Sequence, residues 1–416
     1  MASSKRRVVI TGAGVVTSVG NDLKTTWESL LAGKSGGAPI TRFDATDFKV
    51  KFACETKGFD PALYMDRKEV KRSDLYTQYA MAASVQAMTD AGLAEGGYDQ
   101  LRTGVVIGSG IGGIATFEEQ HSTLMTHGPN RISPFFVPMF IGDIAAGVVS
   151  MRFQAKGPNY AVQSACATSA HAIGDAFRMI AYGDADVMIA GGAEAAVTPM
   201  SIGGFGNMQA HSTRNDSPAT ASRPFDATRD GFVLGEGAGI VILEELEHAR
   251  KRGARILAEI VGYGATGDAY HLTGQPDDHE GLQRAMRRAL EDGGLHPEDV
   301  QYINAHGTST PLNDPNEIRA IKKVFGAHAT GLNVSSTKSS TGHMLGAAGS
   351  VEAVFTAMAI VHGVIPPTIN YQTPDPECDL DITPNTPVKR EVHAALSNSS
   401  GFGGHNVSIA LKRYTE

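Results

Sequence analysis

The chain has 416 residues, of which 42% are hydrophobic and 19% are charged. This length exceeds one average domain and predicts two domains or one large two-part domain, while the composition excludes a disordered chain and a coiled coil. The formal net charge of −8 argues against nucleic acid as a partner, because phosphate binding needs a basic surface. Glycine is in excess, with 48 residues, which we expect to serve turns and close backbone approaches.

Cysteine usage and apolar patterning indicate the compartment. Cys54, Cys166 and Cys378 lie far apart without a CxxC pair, so neither a disulfide framework nor a zinc site is expected. No apolar run reaches the about 20 residues that span a bilayer. The apolar segment from Val8 is interrupted by glycines, which favours a first β-strand over a signal peptide. We therefore expect a soluble, cytoplasmic protein with no metal site and no membrane insertion.

In chain order, a short apolar run is repeatedly followed by a glycine-rich or small-residue turn and a helical segment. Such runs begin at residues 8, 105, 187, 302 and 395, and helices are predicted over 73–91, 244–255, 280–291 and from 349 onward. Alternating strands and helices predict an α/β fold with ligands at the carboxyl ends of the strands. The helix over 244–255 and a strand over 256–261 place a boundary near residue 250, between halves 1–250 and 251–416.

One glycine-rich motif resembles a nucleotide-binding fingerprint. Residues 108–113 satisfy GxGxxG between a predicted strand and a predicted helix. The fingerprint also needs an acidic residue about 20 positions later, at the end of a strand. That region has neither strand nor acid. We expect these glycines instead to let another chain segment or a flexible substrate approach the backbone.

The strongest chemical signal surrounds Cys166. A short strand is predicted to end in Val-Gln-Ser-Ala, and a helix rich in Ala and Ser begins at the cysteine. The N–H groups and the dipole of a helix N-terminus stabilise thiolate by at most about 2 kcal/mol, which would lower the pKa of the thiol by about one and a half units. The same N–H groups could hold an oxyanion. A buried, inert cysteine is the alternative.

Two histidines favour a reactive cysteine over a buried, inert one. His306 and His343 each stand beside glycine and hydroxyl residues, where strands are predicted to end. They lack HExxH or any other tight metal-ligand spacing, which argues against zinc. A cysteine and two histidines at three strand ends suggest acyl transfer through a covalent thioester.

At these residues the chain resembles the β-ketoacyl-acyl carrier protein synthases, and within them the synthase II group. The matching stretches run in family order across nearly the whole chain: 164–168, 212–216, 222–226, 229–237, 304–311, 337–339, 342–343 and 401–404. The resemblance implies a thiolase-like fold, in which two similar α/β halves pack as a five-layer αβαβα arrangement and two chains form a homodimer. The nucleophile would lie in the first half and the histidines in the second.

The resemblance also implies a mechanism and the residues that carry it. Cys166 would take an acyl chain from acyl carrier protein, with the N–H groups of Cys166 and Phe402 as the oxyanion hole. His306 and His343 would stabilise the enolate left by decarboxylation of malonyl-acyl carrier protein, which then attacks the acyl thioester. Further matching positions are Lys338 and Glu352, which would tune the histidines, Thr308 and Thr310 on the phosphopantetheine arm, and Ile111 and Phe205 in the acyl pocket. The enzyme would bind no cofactor of its own.

Acyl carrier protein is acidic, so a local basic surface must bring it to this net-negative chain. Arg67, Lys68, Lys71 and Arg72 fall on adjoining faces of one predicted helical segment. By spacing alone this is an ordinary solvated face. The family match at Lys68, Lys71 and Arg72 favours docking, and Arg131 would add to the patch.

Some residues depart from the family pattern. Asn130 and Gln209 stand where basic residues are frequent, Ser400 and Ser340 replace a phenylalanine and a methionine, and Asn313 stands where glycine is common. None is one of the three catalytic positions, but Ser400 bears on the motion of the Phe402 loop.

Three other functions are open to such a chain. A polyketide or specialised-lipid ketosynthase would share every catalytic residue. A silent chain-length-factor subunit would lack the nucleophile, which Cys166 supplies, and a thiolase would use a second cysteine where this chain has histidine.

Overall fold

The computed structural model describes residues 5–416 of the chain. Within them the strands are β1 Val8–Val16, β2 Ala38–Pro39, β3 Phe52–Ala53, β4 Thr103–Gly108, β5 Asn159–Tyr160, β6 Val187–Glu194, β7 Gly237–Glu245, β8 Ala258–Gly267, β9 Tyr302–Asn304, β10 Asn333–Ser335, β11 Val364–Ile365, β12 Val388–Lys389, β13 Ala394–Gly401 and β14 His405–Lys412. The α-helices are α1 Leu23–Leu31, α2 Arg67–Val70, α3 Leu75–Asp90, α4 Ile114–His127, α5 Phe136–Phe140, α6 Ile144–Phe153, α7 Thr168–Tyr182, α8 Pro199–Asn207, α9 Leu246–Lys251, α10 Glu280–Gly293, α11 Asn313–Phe325, α12 Lys338–Thr341 and α13 Ala348–His362.

Ten of these strands form one sheet built from two copies of the same pattern. Its order is β10-β9-β13-β14-β8-β1-β7-β6-β4-β5. From either outer edge inward, the pairings run parallel, parallel, antiparallel and antiparallel. The two five-stranded halves join where β1 pairs with β8 over three residues of each strand. Each half therefore repeats one α/β topology, as the family resemblance implied.

Helices fill the space on both sides of each half-sheet. Helix α7 contacts β4 and β6 of the first half and β14 of the second, and α13 contacts β7 and β13. Helices α3 and α6 cover the outer face of the first half, and α10 covers that of the second, with α11 packed against it. The layers are thus helix, sheet, helix, sheet and helix, which confirms the five-layer α/β arrangement.

The central layer depends on small residues. A Cβ atom on Gly174 of α7 would lie 2.2 Å from the ring of Tyr263 on β8. Glycine is therefore needed at this position for α7 to sit against the second half-sheet. Most of the other buried positions of α7 are alanine, serine or threonine, and this explains why an Ala- and Ser-rich helix follows Cys166.

The most apolar helical stretch belongs to this layer. Residues Leu345–His362 have a mean hydropathy of 1.4 over 18 residues, and 89% of the stretch is buried inside the protein. Its length and composition alone would suit a membrane span. Its burial between the half-sheets makes it a core helix.

One predicted helix is shorter than expected. The prediction over 244–255 is wrong at both ends, because the helix is confined to Leu246–Lys251. Glu244 lies on β7, where its buried carboxylate accepts hydrogen bonds from Thr11, His248 and Arg252. These partners hold Glu244 on the strand, and the charge pattern did not reveal them.

Candidate active site

One cavity brings the predicted chemical residues together. It has a volume of about 280 Å³, and its walls include Cys166, His306, His343 and the backbone around Phe402. Cys166 comes from the first half of the sheet arrangement, and both histidines come from the second. Cys166 is more than a hundred residues from either histidine in the chain, and the packing of the two halves brings them to one cavity.

A strained turn places the cysteine. Residues Ala165–Ala167 form a 3₁₀ turn directly before α7, and Ala165 has a positive φ of 49°. The backbone N–H groups of Phe402 and Cys166 lie close enough to the Cys166 sulfur to favour its thiolate and so act to lower the pKa of the thiol. Gly401 makes this approach possible, since a Cβ atom there would lie 2.8 Å from the Ser164 carbonyl oxygen. Two backbone N–H groups beside one sulfur are an arrangement suited to holding an oxyanion.

The resting state of Cys166 differs from the expectation. Burial raises the pKa of the Cys166 thiol to about 12, although the Lys338 ammonium and the two N–H groups act in the opposite direction. The predicted lowering of this pKa is therefore wrong. Desolvation of a fully buried thiolate outweighs the favourable dipoles, and the group rests as a neutral thiol.

The two histidines form a perpendicular pair. Their ring centroids lie 5.4 Å apart, with the ring planes at 86°. His306 follows β9, and the N–H groups of His306 and Gly307 donate to the buried carboxylate of Glu317 on α11 over 2.9 and 2.8 Å. His343 follows α12, and its N–H donates to the Val233 carbonyl oxygen over 2.7 Å. Each imidazole is thus positioned through its own backbone.

Lys338 fixes the proton on one of these rings. Its ammonium pairs with the Glu352 carboxylate, and both side chains are buried. Nζ of Lys338 also lies 3.4 Å from Nδ1 of His306. An ammonium can only donate, so Nδ1 accepts, and the proton of the neutral ring resides on Nε2. This tautomer gives His306 a donor at Nε2.

Both imidazoles are held neutral. Burial lowers the pKa of His306 well below its usual value, and the Lys338 charge and the neighbouring His343 lower it further. Burial and Lys338 likewise depress the pKa of His343. Neutral N–H donors in a dry site can stabilise an oxyanion without giving up a proton.

The predicted substrate-binding residues occupy two places. Phe205, Thr308 and Thr310 line the cavity, and the two threonine hydroxyls lie 3.0 Å apart. Ile111 is absent from the cavity wall but packs, with Phe205, against the apolar cluster that contains Cys166. Its place in an acyl pocket therefore remains a prediction.

The glycine-rich loop before α4 is held by a buried acid that the sequence analysis missed. Glu194, the last residue of β6, accepts hydrogen bonds from the Ser109 hydroxyl and from the N–H groups of Gly110, Ile111 and Gly346. These donors are the ones that a pyrophosphate would need, so the loop is already filled. Another chain segment, 139–140, also crowds Gly113, in agreement with the backbone-approach reading. The sequence feature that could have revealed Glu194 is an acidic residue at the end of the apolar run that begins at residue 187.

The predicted basic patch is exposed. Arg67 and Lys68 lie on α2, Lys71 and Arg72 follow it, and Arg131 ends a 3₁₀ turn at Pro129–Arg131. The Arg72 guanidinium stacks 4.4 Å above the ring of Phe135. This contact joins the α2 segment to the segment that follows Arg131.

The departures from the family pattern have different surroundings. Asn130 and Gln209 are exposed, whereas Ser340 is buried, and its hydroxyl has no hydrogen-bond partner among residues 5–416. Asn313 and Ser400 line the cavity, and Asn313 accepts a hydrogen bond from Gln275 over 3.1 Å. Ser400 contacts a buried histidine, His279, that the sequence analysis did not single out.

In the described part of the chain, no group of three or more His, Cys, Asp or Glu side chains is arranged to hold a metal ion.

Comparisons with known proteins assign the chain to a family. Residues 5–249 match the β-ketoacyl synthase N-terminal domain, and residues 257–372 match the β-ketoacyl synthase C-terminal domain. The 3-oxoacyl-[acyl-carrier-protein] synthase 2 of Coxiella burnetii is 54% identical over 98% of this chain and 99% of its own length. Its namesake in Synechocystis is 53% identical over 99% of both chains, and the one in Staphylococcus aureus N315 is 54% identical over the same shares.

Solved structures agree with the sequence relatives. A type II polyketide ketosynthase bound to a hexaketide, in complex with its acyl-carrier protein, superposes with a TM-score of 0.92 at 38% identity, covering 99% of this chain and 100% of that chain. A β-ketoacyl synthase from Burkholderia phymatum superposes with a TM-score of 0.91 at 35% identity and the same coverage. The chain therefore belongs to the β-ketoacyl synthase family.

Proposed function

We propose that this protein is a 3-oxoacyl-[acyl-carrier-protein] synthase, which condenses an acyl chain with a malonyl unit and releases carbon dioxide during fatty acid elongation. The observation that carries the proposal is the convergence of Cys166, with two N–H donors at its sulfur, and the neutral pair His306 and His343 around one cavity. This site offers a nucleophile and two separate oxyanion traps, as a two-stage condensation requires.

In the first stage, the sulfur of Cys166 attacks the thioester carbonyl of acyl-acyl carrier protein. The N–H groups of Cys166 and Phe402 hold the oxyanion. The carrier's pantetheine sulfur leaves and takes the proton that the Cys166 thiol gives up. Since the thiol is neutral at rest, this proton transfer accompanies attack and needs no preformed thiolate.

In the second stage, malonyl-acyl carrier protein loses carbon dioxide, and the electron pair of the broken C–C bond moves into the thioester as an enolate. The Nε2–H group of His306, directed by Lys338, and the imidazole of His343 stabilise the enolate oxygen. The enolate carbon then forms a bond to the acyl carbonyl carbon and expels the Cys166 thiolate, which takes up a proton from solvent to restore the neutral thiol. Thr308 and Thr310 would contact the pantetheine arm, and Phe205 and Ile111 the acyl chain.

Acylation by a long-chain acyl carrier protein, followed by intact-mass analysis, tests this proposal. Wild type should gain one acyl group, and Cys166→Ala should gain none. The buried Cys54 and Cys378 provide matched controls, so Cys54→Ala and Cys378→Ala should still be acylated. Acylation of the Cys166→Ala variant would refute the assignment.

Separate assays distinguish the two stages. We expect His306→Ala and His343→Ala to keep acylation within about threefold while malonyl decarboxylation falls about a hundredfold or more, the effect of losing an oxyanion donor. Unchanged condensation rates in both variants would contradict the role given to the histidines.

The proposed carrier docks on the basic patch formed by Lys68, Lys71, Arg72 and Arg131. These side chains are exposed on a protein whose net charge is −8, so an acidic partner is attracted here and repelled elsewhere. The stacking of Arg72 on Phe135 supports one continuous surface.

We further propose a homodimer. Strand β5 closes one edge of the sheet with Asn159 and Tyr160 exposed, and the apolar side chain of Met151 is exposed on α6, the helix that packs against β5. A second copy that covered this surface would pair an edge strand and bury apolar area.

The remaining expectations belong to the same proposal. The enzyme works without a bound cofactor, since every step uses only protein groups and carrier-linked substrates. The cytoplasm, a reducing compartment, suits three free cysteines. A division into halves 1–250 and 251–416 is supported by the position of α9 between the two five-stranded halves.

A ketosynthase of a polyketide pathway is the second candidate, favoured by the structural likeness to the hexaketide-bound enzyme. Short, medium and long straight-chain acyl carriers, compared with poly-β-keto chains, separate the two. Preference for long saturated donors supports fatty acid elongation, and preference for keto-bearing donors supports the alternative.

A further inference from the structure

A third buried histidine lies behind the cavity wall. His279, immediately before α10, is 0% exposed and has a left-handed backbone with φ of 47°. It is not among the residues that line the cavity. A fully buried imidazole on an unfavourable backbone conformation persists only where its contacts hold it.

Its contacts form a small polar cluster, which we call the His279 cluster: His279, Ser400, Asn406 and Asp268. Nε2 of His279 lies 3.1 Å from Oδ1 of Asn406 and 3.3 Å from Oγ of Ser400. The Ser400 hydroxyl donates to the same Asn406 oxygen over 2.8 Å, and the Asn406 amide donates to Asp268 over 2.6 Å. Asn406 is the centre of the cluster.

The hydrogen-bond pattern also sets the state of the ring. Because Oδ1 of Asn406 accepts, Nε2 of His279 carries the proton, and Nδ1 is an acceptor. Nδ1 is buried without a hydrogen-bond partner in the described chain. Burial lowers the pKa of His279 to about 4, so the ring acts as a neutral donor.

The cluster contacts both ends of the turn at residues 401–404, which carries the Phe402 N–H group. Ser400 precedes this turn, residues 401–404, and Asn406 closely follows it. The loop that leads to His279 holds the same turn from outside, because Gly403 N–H donates to the Leu272 carbonyl oxygen and Asp268 N–H donates to that of Gly404. Phe402, whose N–H lies beside the Cys166 sulfur and acts to lower the pKa of that thiol, lies between these attachments.

The departure at Ser400 fits this arrangement. A phenylalanine, expected there from the family resemblance, could not hydrogen-bond to Asn406 or contact Nε2 of His279 through a polar atom. In this chain, serine and histidine together hold the turn by polar contacts.

Building on the condensation proposed above, we propose that His279 is a positioning residue for acyl transfer, which acts through Asn406 and Ser400 to keep the Phe402 N–H directed at Cys166. It does not contact substrate. Its effect should fall on the step that uses this N–H and spare the step that uses His306 and His343.

The test compares two substitutions in the full-length protein. His279→Gly removes the side chain and suits a positive φ, and His279→Gln keeps an amide that can donate in place of Nε2. Single-turnover acylation of Cys166 by acyl-acyl carrier protein should slow by about tenfold to a hundredfold in the glycine variant, as for a small misplacement of catalytic groups. Glutamine should restore it to within about threefold. Malonyl decarboxylation should change less than about twofold in both.

Controls keep the outcomes distinct. His393→Gln changes an exposed histidine and should leave both rates unaltered, and thermal melting reports whether each variant is folded. If wild type itself is not acylated, the proposed function fails. If wild type is acylated and His279→Gly is equally fast, or if His279→Gly slows both steps alike without rescue by glutamine, the positioning role is overturned.

Discussion

At the scale of single residues, the site is governed by burial. Cys166, His306, His343, Lys338 and Glu352 are all buried, and each ionisable group among them must be neutral or paired. The histidines lose their charge, the thiol keeps its proton, and the Lys338 side chain pairs with Glu352, although burial raises the pKa of Glu352 to about 7. The chemistry therefore begins from neutral groups around one internal ion pair.

The ion pair gives the first prediction. Glu352→Gln leaves the Lys338 ammonium buried without its counter-charge, so the free energy of unfolding should fall by about 3–5 kcal/mol. Malonyl decarboxylation should fall more than Cys166 acylation, because Lys338 orients His306. Denaturant unfolding and the two half-reaction rates measure this. The surface variant Glu377→Gln, whose carboxylate pairs with Arg319 in solvent, should change stability by less than about 1 kcal/mol.

Buried His279 predicts a dependence of stability on pH. Its folded-state pKa is about 4, against about 6.5 in the unfolded chain, so the unfolded state binds more protons as pH falls below 6.5. Stability from the neutral ring is thus present at pH 7 and lost toward pH 4. Between pH 7 and 5, the free energy of unfolding of wild type should fall by about 2 kcal/mol more than that of His279→Gln. Parallel curves would show that Asp278 and the other groups facing His279 keep its pKa near normal.

At the scale of elements, the central helix layer sets the distance between the half-sheets. Helix α7 lies directly against β8 only because Gly174 lacks a side chain. The start of α7 carries the Cys166 turn, so this packing also determines where the nucleophile stands relative to the histidines.

We therefore predict that Gly174→Ala destabilises the protein by about 1–3 kcal/mol, as expected for overpacking, and slows condensation. Gly204→Ala is the matched control: Gly204 also lies in a helix, α8, but a Cβ atom there meets nothing within 4 Å. That change should be neutral or should stabilise by up to about 1 kcal/mol, because alanine favours helix. Thermal unfolding of both variants shows whether steric overpacking or the helix propensity of alanine determines the change in stability.

At the scale of the whole molecule, function depends on two surfaces away from the cavity. The apolar surface around β5 predicts a dimer in solution by light scattering. Met151→Glu should shift the protein toward monomer, while Leu63→Glu should not, although Met151 is 63% exposed and Leu63 is 74% exposed. Equal masses for both variants would place the interface elsewhere.

The basic patch predicts the salt dependence of carrier use. Lys68→Glu combined with Lys71→Glu should raise the KM for acyl-acyl carrier protein by about tenfold at low salt, with little change in kcat, because rim charges act mainly on encounter. Lys389→Glu, an exposed charge on β12 in the second half, should leave KM unaltered. A small pantetheine thioester should be used equally by all variants.

The α/β class and the identity of Cys166, His306 and His343 could be predicted from the sequence, because strand-end motifs are local and their residue types restrict the chemistry. Three features could not be predicted from the sequence: the hydrogen bonds of Glu194 to the loop before α4, those of Glu317 to the backbone at His306, and the His279 cluster. The contacts of Glu194 and of the His279 cluster join residues far apart in the chain, and Glu317 reaches His306 and Gly307 only because α11 folds back against the end of β9.

The direction of the Cys166 pKa separates the two kinds of information most clearly. The sequence determined that a cysteine stands at the start of a helix, and that local dipole favours thiolate. Only the tertiary structure decided how deeply the sulfur is buried, and desolvation grows with every segment that packs over it. The sequence thus identified the candidate reactive groups, and the packing of the two halves decided their protonation states.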